Sequence, residues 1–315
     1  SSHLLGSDAF QETDIIGISM PVTKWNYQIT KASEIPEIFA KAFYIARSGR
    51  PGPVLIDITK DAQFELMNFQ YNKCFSVRSY KPVPDYSVDQ IKKASHLINE
   101  SKKPFIVFGQ GVILGEAENE FKEFIEKTGI PSAWTILGLS ALPTEHYLNV
   151  GMVGMHGNYG PNVLTNECDL LIAIGMRFDD RVTGNLETYA KQAKIIHMEI
   201  DPAEINKNVE CDISVLGNIK ETIPLLTSMV NKSSHKSWLD KFSFHYEIEF
   251  KKVINKEINP TKNGLTMAEV IKEINNSTNG DAIIVTDVGQ HQMVTCRYAK
   301  FNKSKSNVTS GGLGT

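Results

Sequence analysis

The sequence predicts an α/β protein built on a parallel β-sheet. Runs such as PFIVF (residues 104–108) and DLLIAIG (169–175) are apolar on both faces, which is typical of strands that helices cover on both sides. Amphipathic segments separate these runs, and such alternation is typical of a parallel sheet with right-handed crossovers. Glycine or polar residues follow the runs, where parallel sheets bind ligands.

Composition narrows the class of protein. The chain has 315 residues, of which 41% are hydrophobic and 22% charged, values typical of a globular protein. A net charge of −3 gives no reason to expect a nucleic acid or an acidic membrane as a partner. The four cysteines are too scattered for a zinc site or a disulfide framework, and no apolar run approaches the roughly 20 residues that span a bilayer. We therefore expect a cytoplasmic protein with no metal ligands of its own.

The first segment is predicted to form a helix, a turn and a strand. Residues 34–46 place apolar side chains on one helical face, namely Ile35, Ile38, Phe39, Ala42, Phe43 and Ala46. The glycines and prolines of residues 48–53 end that helix, and VLIDI (54–58) is a short buried strand. Residues 64–86 have no sustained period, which indicates a linker.

A second α/β segment follows, and Ser87 is placed to cap its first helix, over residues 88–101. Further helices are predicted over 116–128, 162–169 and 219–230, with strands at 104–108, 130–135, 169–175 and 194–200. Residues 231–264 are polar with scattered aromatics, which indicates a helical connection. A helix over 267–274 and a strand over 282–286 begin a third segment.

Four predicted strands of the middle segment end on glycine or polar residues: Gly109, Thr135, Gly175 and Glu199. These ends meet at one edge of a parallel sheet, and that edge suits a long ligand. Glycines in GMHG (residues 154–157) precede a predicted helix start, whose N–H groups suit a phosphate. Residues 177–181 (RFDDR) also fit a simple surface network of arginine and aspartate, so composition and spacing leave both interpretations open.

Eight stretches together resemble the catalytic subunits of the acetohydroxyacid (acetolactate) synthase family, which are flavin-containing thiamine-diphosphate enzymes. They are GSDAFQE (6–12), GISMPVTKWNY (17–27), SGRPGPVLIDITKD (48–61), GMHGNYG (154–160), RFDDRVTG (177–184), EIDPAEINKN (199–208), TDVGQHQM (286–293) and TSGGLGT (309–315). The resemblance covers essentially the whole chain.

This resemblance implies a Rossmann-like middle domain flanked by partial thiamine-diphosphate-binding α/β domains. The implied segments are the end of a pyrimidine-binding domain (1–63), a linker (64–85), a central FAD-binding domain (86–232), a second linker (233–262) and the start of a pyrophosphate-binding domain (263–315). Both ends of the chain look cut, so we expect a fragment that is inactive alone.

The resemblance also implies site residues. The FAD-binding site would be lined by Gly109, Gly111, Thr135, Ile136, Leu137, Met155, His156, Gly157, Gly175, Met176, Arg177, Asp179, Arg181, Val182, Glu199, Ile200, Ile205 and Asn218. Thiamine diphosphate would be bound by Gly289, Gln290, His291, Gln292, Gly312, Leu313 and Gly314. Residues facing the active site across a dimer interface would be Phe10, Gln11 and Lys24.

The implied reaction is decarboxylation of pyruvate and carboligation to a second 2-oxo acid, pyruvate or 2-oxobutyrate, in branched-chain amino-acid biosynthesis. The resemblance implies a homodimer or higher homo-oligomer and allows a small regulatory subunit. An activating glutamate is expected upstream of residue 1, and the Mg²⁺ ligands downstream of Thr315.

Three alternatives remain at this stage. One is a relative in the same superfamily, namely a flavin-free acetolactate synthase, a pyruvate oxidase or a glyoxylate carboligase. The others are a non-catalytic nucleotide-binding module and a structural scaffold that binds no small molecule.

Overall fold

A computed structural model describes residues 2–10, 12–261 and 264–311. The contacts divide the chain between Pro84 and Asp85 into two compact units, each of which is described by itself. The second unit holds both the predicted central domain and the predicted start of the third, so the three-domain division stays a prediction.

The first unit is a small α/β structure. Its elements are α1 (Ile15–Ser19), β1 (Trp25–Ile29), α2 (Ile35–Arg47), β2 (Val54–Ile58) and α3 (Lys60–Phe64). The two strands are parallel, with Trp25 opposite Val54, and α2 packs on them through Ile38. The predicted helix and strand are confirmed, but β2 is half-buried along its whole length, so the expectation of a buried strand was wrong. The expectation that Phe43 is buried was wrong, because the buried face of α2 runs through Ile38, Ala42 and Ile45 and leaves Phe43 60% exposed.

The second unit is organised around a six-stranded, fully parallel sheet. Its elements as far as the end of the sheet region are α4 (Val88–Glu100), β3 (Pro104–Phe108), α5 (Gly111–Leu114), α6 (Glu118–Thr128), β4 (Ser132–Trp134), β5 (Asn149–Met152), α7 (Tyr159–Leu164), β6 (Leu170–Ile174), α8 (Asp180–Thr183), β7 (Lys194–Glu199), β8 (Ile213–Leu216) and α9 (Ile219–Met229). The strand order is β5-β4-β3-β6-β7-β8. The predicted α/β class with a parallel sheet is confirmed.

The rest of this unit is helical except for one short pair of strands. It comprises α10 (Lys236–Glu249), a π-helical turn (Phe250–Ile254), α11 (Asn255–Ile258), α12 (Met267–Thr278), β9 (Ile284–Thr286), α13 (Gln290–Tyr298) and β10 (Asn307–Thr309). β9 and β10 pair in parallel.

Apolar cores lie on both faces of the six-stranded sheet, as the uniformly apolar strands predict. Phe108 and Ile174 point to the face covered by α4, α6 and α9. Phe105 and Leu171 point to the other face, where Trp238 and Phe242 of α10 cover them. Alternate residues of each strand are thus buried on opposite sides.

Several features differ from the sequence predictions. The short elements α1, α3, α5, α8 and β10 were not predicted, and α7 ends at Leu164 rather than at residue 169. The edge strands β5 and β8 were not predicted. α7 begins at Tyr159 rather than residue 162, since Gly160 and Pro161 form its first turn instead of a loop before it. α12 continues past residue 274 to Thr278 and is followed by Asn279 in the left-handed region.

Candidate functional site

The strand order of the main sheet reverses between β3 and β6, which lie side by side. Numbered by their position along the sheet-forming part of the chain, the strands follow the order 3-2-1-4-5-6, and in that arrangement dinucleotides bind at the carboxyl ends where the order reverses. Gly109 follows β3 and Gly175 follows β6. The structure thus brings the two predicted glycine turns together at this reversal, which we call the switch point.

The glycines of the switch point are required by contacts within the protein. A β-carbon on Gly109 would lie 2.4 Å from the Gly175 carbonyl oxygen. One on Gly111 would lie 2.5 Å from the Gly175 α-carbon. The Gly111 N–H donates to the Gly175 carbonyl at 3.0 Å. The prediction that these glycines line FAD therefore did not include their packing role.

The loop after β6 carries the charged groups of the predicted site. Arg177 pairs with Asp179, and the same carboxylate accepts a hydrogen bond from the Arg181 N–H at 2.9 Å, which begins α8. The Arg181 side chain lies 3.8 Å from Asp180 and is 71% exposed. Phe178 anchors the loop: it is fully buried and its ring lies 5.0 Å from that of His197. Both arginines thus pair with aspartates yet remain accessible.

The GMHG loop docks directly on this charged loop. The Met155 N–H donates to the Arg181 carbonyl at 2.7 Å. Asn162 of α7 holds both backbone groups of Gly154, at 2.8 Å and 2.9 Å. Met155 and His156 themselves are exposed. Two segments that the sequence connects only by resemblance are therefore neighbours.

The predicted phosphate position at the start of α7 is taken by a protein carboxylate. Glu249 accepts a hydrogen bond from the Tyr159 N–H at 3.0 Å and lies 3.4 Å from the Asn158 amide nitrogen. An anion already interacts with this helix terminus. Phosphate binding here stays a prediction, and it would have to accommodate Glu249, which the local sequence did not indicate.

The end of β7 is buried and polar. Glu199 is 8% exposed and accepts a hydrogen bond from the Ile200 N–H at 2.9 Å. His197 Nε2 lies 2.8 Å from the Met176 carbonyl oxygen, and burial lowers the pKa of this histidine. The Met176 side chain is buried in the core on the face of the sheet that α10 covers.

The remaining predicted flavin residues lie along the same sheet edge. Thr135 is buried and its N–H donates to the Phe108 carbonyl at 2.9 Å. Asn218 caps α9 by accepting from the Lys220 N–H at 3.0 Å. The partly buried members of this set are Ile136, Leu137, Gly157, Val182, Ile200 and Ile205.

A cavity of about 350 Å³ adjoins the docked loops. Met155, Arg181 and Val182, all predicted site residues, form part of its wall. Asn162 and Tyr189 also line it, and sequence reasoning missed both. For Asn162, the local signal was its position after Gly160 and Pro161, which indicates a helix start more readily than a binding site. For Tyr189 there was no local signal.

The predicted diphosphate-binding residues stand at the start of α13. Gly289 has φ +150°, and Gln290 and His291 are exposed. Gln292 is buried instead, and its amide nitrogen donates to the Thr309 hydroxyl at 2.6 Å. Gly312, Leu313 and Gly314 lie outside the described residues.

The predicted substrate-facing residues belong to the first unit. Phe10 is 92% exposed, and Gln11 lies outside the described residues. The Lys24 ammonium donates to the carbonyls of Ile45 and Ser48, both at 2.7 Å, and to the Tyr80 hydroxyl at 3.0 Å. All three of its protons are thus used within its own unit.

In the part of the chain that the structure describes, no three His, Cys, Asp or Glu side chains come together as metal ligands. Nor does that part contain a helix long and apolar enough to cross a membrane.

Comparison with known proteins extends these observations. Residues 91–226 match the family model "Thiamine pyrophosphate enzyme, central domain". The whole chain aligns with the acetolactate synthase large subunit of Buchnera aphidicola subsp. Schizaphis graminum at 39% identity, covering 55% of that protein. The chain belongs to the acetolactate synthase large-subunit family. This confirms the resemblance predicted from the motifs.

Other acetolactate synthase relatives agree. The chain aligns over its full length with the large subunit of Corynebacterium glutamicum at 41% identity, covering 50% of it. It aligns likewise with the probable large subunit of Methanocaldococcus jannaschii at 42% identity, covering 54%. The chain therefore spans about half the length of the curated relatives it matches.

Proposed function

We propose that the chain is part of an acetolactate synthase catalytic subunit. The whole protein would decarboxylate pyruvate and join the two-carbon unit to pyruvate or 2-oxobutyrate, which gives acetolactate or acetohydroxybutyrate for the synthesis of branched-chain amino acids. Thiamine diphosphate with Mg²⁺ would supply the electron sink for this reaction. The proposal is supported by full-length similarity at about 40% identity to proteins of that name.

We further propose that FAD binds across the switch point between β3 and β6. The observation that carries this proposal is the reversal of strand order at Gly109 and Gly175, since dinucleotides bind at such reversals. The residues present fit the group: accessible Arg177 and Arg181 stand beside this edge, and Glu199 ends the next strand.

Each of these side chains would have a distinct task. Arg177 and Arg181 would bind the pyrophosphate or flavin oxygens through charge-assisted hydrogen bonds. Glu199 would accept a hydrogen bond from a ribose hydroxyl. His197, held neutral by burial, would orient the backbone of Met176 rather than contact FAD.

At the other cofactor, exposed Gln290 and His291 would bind the diphosphate of thiamine diphosphate. Gln292 would act indirectly, since its amide holds β10 through Thr309. Phe10, Gln11 and Lys24 would position substrate across the interface of a homodimer or higher homo-oligomer. The whole protein would act in the cytoplasm, with a small regulatory subunit where one is present. Lys24 would first have to release hydrogen bonds inside its own unit.

The test is a titration of the purified chain with FAD, followed by flavin fluorescence. We expect saturable binding that weakens about ten- to a hundredfold in Arg177→Ala, the loss of one charge-assisted contact. Asp179→Asn should retain binding better, because asparagine still caps α8. Lys241→Ala breaks an exposed ion pair with Glu167 on the surface and serves as the matched control.

The outcomes separate the candidate functions. A folded chain without FAD binding would remove the flavin assignment and favour a flavin-free relative. Binding of FAD that Arg177→Ala leaves unchanged would identify the arginine and aspartate network as a surface feature. Nucleotide binding without any thiamine diphosphate binding in a chain extended at both ends would favour a non-catalytic nucleotide-binding module.

A further inference from the structure

A buried ion pair joins two distant helices beside the GMHG loop. Glu249 ends α10 with a side chain only 4% exposed, and Arg297 lies in the last turn of α13 with a side chain 20% exposed. The two side chains are in direct contact. Since burying a carboxylate is costly unless it is paired and hydrogen-bonded, the site must use both of its oxygens well.

Both partners also bind the backbone at the end of the GMHG loop. Glu249 uses its second oxygen to accept from the Tyr159 N–H at 3.0 Å. Arg297 uses a second nitrogen to donate to the Gly157 carbonyl at 3.1 Å, with the His156 carbonyl 3.5 Å away. An ion pair that merely joined α10 to α13 would not need these contacts.

The other side of the same loop end is fixed by Asn158. Its N–H donates to the Met152 carbonyl at 2.7 Å, and its side-chain oxygen accepts from the Met152 N–H at 2.9 Å. The packing is tight, because a β-carbon on Gly157 would lie 2.4 Å from the Met152 carbonyl oxygen. The loop end is therefore held from β5 on one side and from α10 and α13 on the other.

We propose that Glu249 and Arg297 are positioning residues for the GMHG loop. They hold residues 156–159 in place, so that Met155 and His156 are presented at the flavin edge without either charged side chain touching the ligand. This inference rests on the proposed function for its consequence in FAD binding. The arginine fork is what allows one side chain to hold a carboxylate and a carbonyl at once.

The experiment compares Arg297→Gln, Arg297→Lys and Glu249→Gln with the unmodified chain. Hydrogen exchange of peptides covering residues 152–160 is measured without ligand, and the FAD Kd is measured by fluorescence. We expect about tenfold faster exchange and about a tenfold higher Kd in Arg297→Gln. Arg297→Lys should recover part of both, because it restores the charge but not the fork.

Lys300→Ala is the matched control, since it breaks an exposed ion pair that Lys300, just after α13, makes with Glu145 before β5, away from the GMHG loop. It should change neither readout. Unchanged loop exchange in Arg297→Gln, or an equal effect of Lys300→Ala, would overturn the inference. If Arg297→Gln does not fold, Glu249→Gln decides, because it removes the charge and keeps an acceptor for Tyr159. Absence of FAD binding in the unmodified chain would remove the flavin assignment and leave loop exchange to decide the positioning role.

Discussion

Gly111 and Gly175 touch through their backbones, so that a β-carbon on Gly111 would lie 2.5 Å from the α-carbon of Gly175. That separation is far below any van der Waals contact, and neither backbone can yield without moving a central strand. We expect Gly111→Ala to lower the free energy of unfolding by about 3 kcal/mol, as overpacking does in cores, and to weaken FAD binding. Urea unfolding of the purified chain measures the first effect.

Gly160→Ala is the control for this substitution. Gly160 also lies in the first turn of a helix, but its β-carbon would lie 3.2 Å from the His245 β-carbon and 3.5 Å from the Phe242 carbonyl oxygen, much farther than the contact at Gly111. We expect a change within about 1 kcal/mol, since the closer contact is relieved if α10 moves by a few tenths of an ångström. Equal losses in the two variants would contradict a specific role for the Gly111 contact.

His197 should make the second unit less stable at mildly acidic pH. Burial lowers its pKa in the folded chain below the ordinary 6.5, so the unfolded chain binds the proton first. Stability is then full above pH 6.5 and falls as the pH drops below it, by at most about 1.4 kcal/mol per pH unit. Urea unfolding followed by the fluorescence of Trp134 and Trp238, in a Trp25→Phe background, measures this slope.

The His197→Phe variant should lose that part of the pH dependence between pH 7 and 5.5. His96, which is exposed on α4, supplies the comparison through His96→Gln. If the pH dependence persists in His197→Phe but disappears in His96→Gln, the loss of stability comes from His96 and the prediction for His197 is wrong.

The cysteines should differ sharply in reactivity. Burial raises the pKa of the Cys168 and Cys296 thiols to about 12, so almost no thiolate forms at pH 8. Cys74 lies partly exposed in an irregular segment. We expect iodoacetamide to modify Cys74 first and to leave the two buried thiols intact, as peptide mass spectrometry would show. In urea all four should react at similar rates, and equal rates in the folded chain would contradict the burial.

Lys24 should stabilise the first unit. Its ammonium binds the Ile45 and Ser48 carbonyls at the carboxyl end of α2, where a cation is favoured. Lys24→Met should therefore cost about 1–2 kcal/mol in urea unfolding followed by Trp25 fluorescence. Lys60→Met, at an exposed position in α3, should cost little. A Lys24→Met chain as stable as the parent would instead favour the role facing substrate.

The central strands were predictable because their chemistry is unambiguous. β3 and β6 are apolar at every position, and only a strand covered on both faces needs that composition. β5 (Asn149–Met152) and β8 (Ile213–Leu216) were not predicted because they are short and lie at the sheet edges. Their residues are partly buried, so the sequence shows little of the hydrophobic periodicity that indicates a strand. The start of α7 was misplaced because glycine and proline are compatible with both a turn and a first helical turn.

The candidate site was predictable only in part. Resemblance named Arg177, Arg181 and the GMHG residues, and the structure shows that their two loops touch. It could not indicate that Glu249 occupies the start of α7, nor that Arg297 reaches the Gly157 carbonyl, because those contacts join residues far apart in sequence. Local pattern contains no information about such pairs until the fold has brought them together.

The strand order also bears on how the molecule forms. β3 and β6 are neighbours at the centre of the sheet, although β4 and β5 lie between them along the chain. The chain must therefore close a long loop before its central pair of strands can form. The chain entropy lost in closing this loop opposes folding until the contacts between β3 and β6 have formed. Synthesis of β6 is the moment at which the two halves of the sheet can first join. Until then, β3 with its neighbours presents an open hydrogen-bonding edge to the cell.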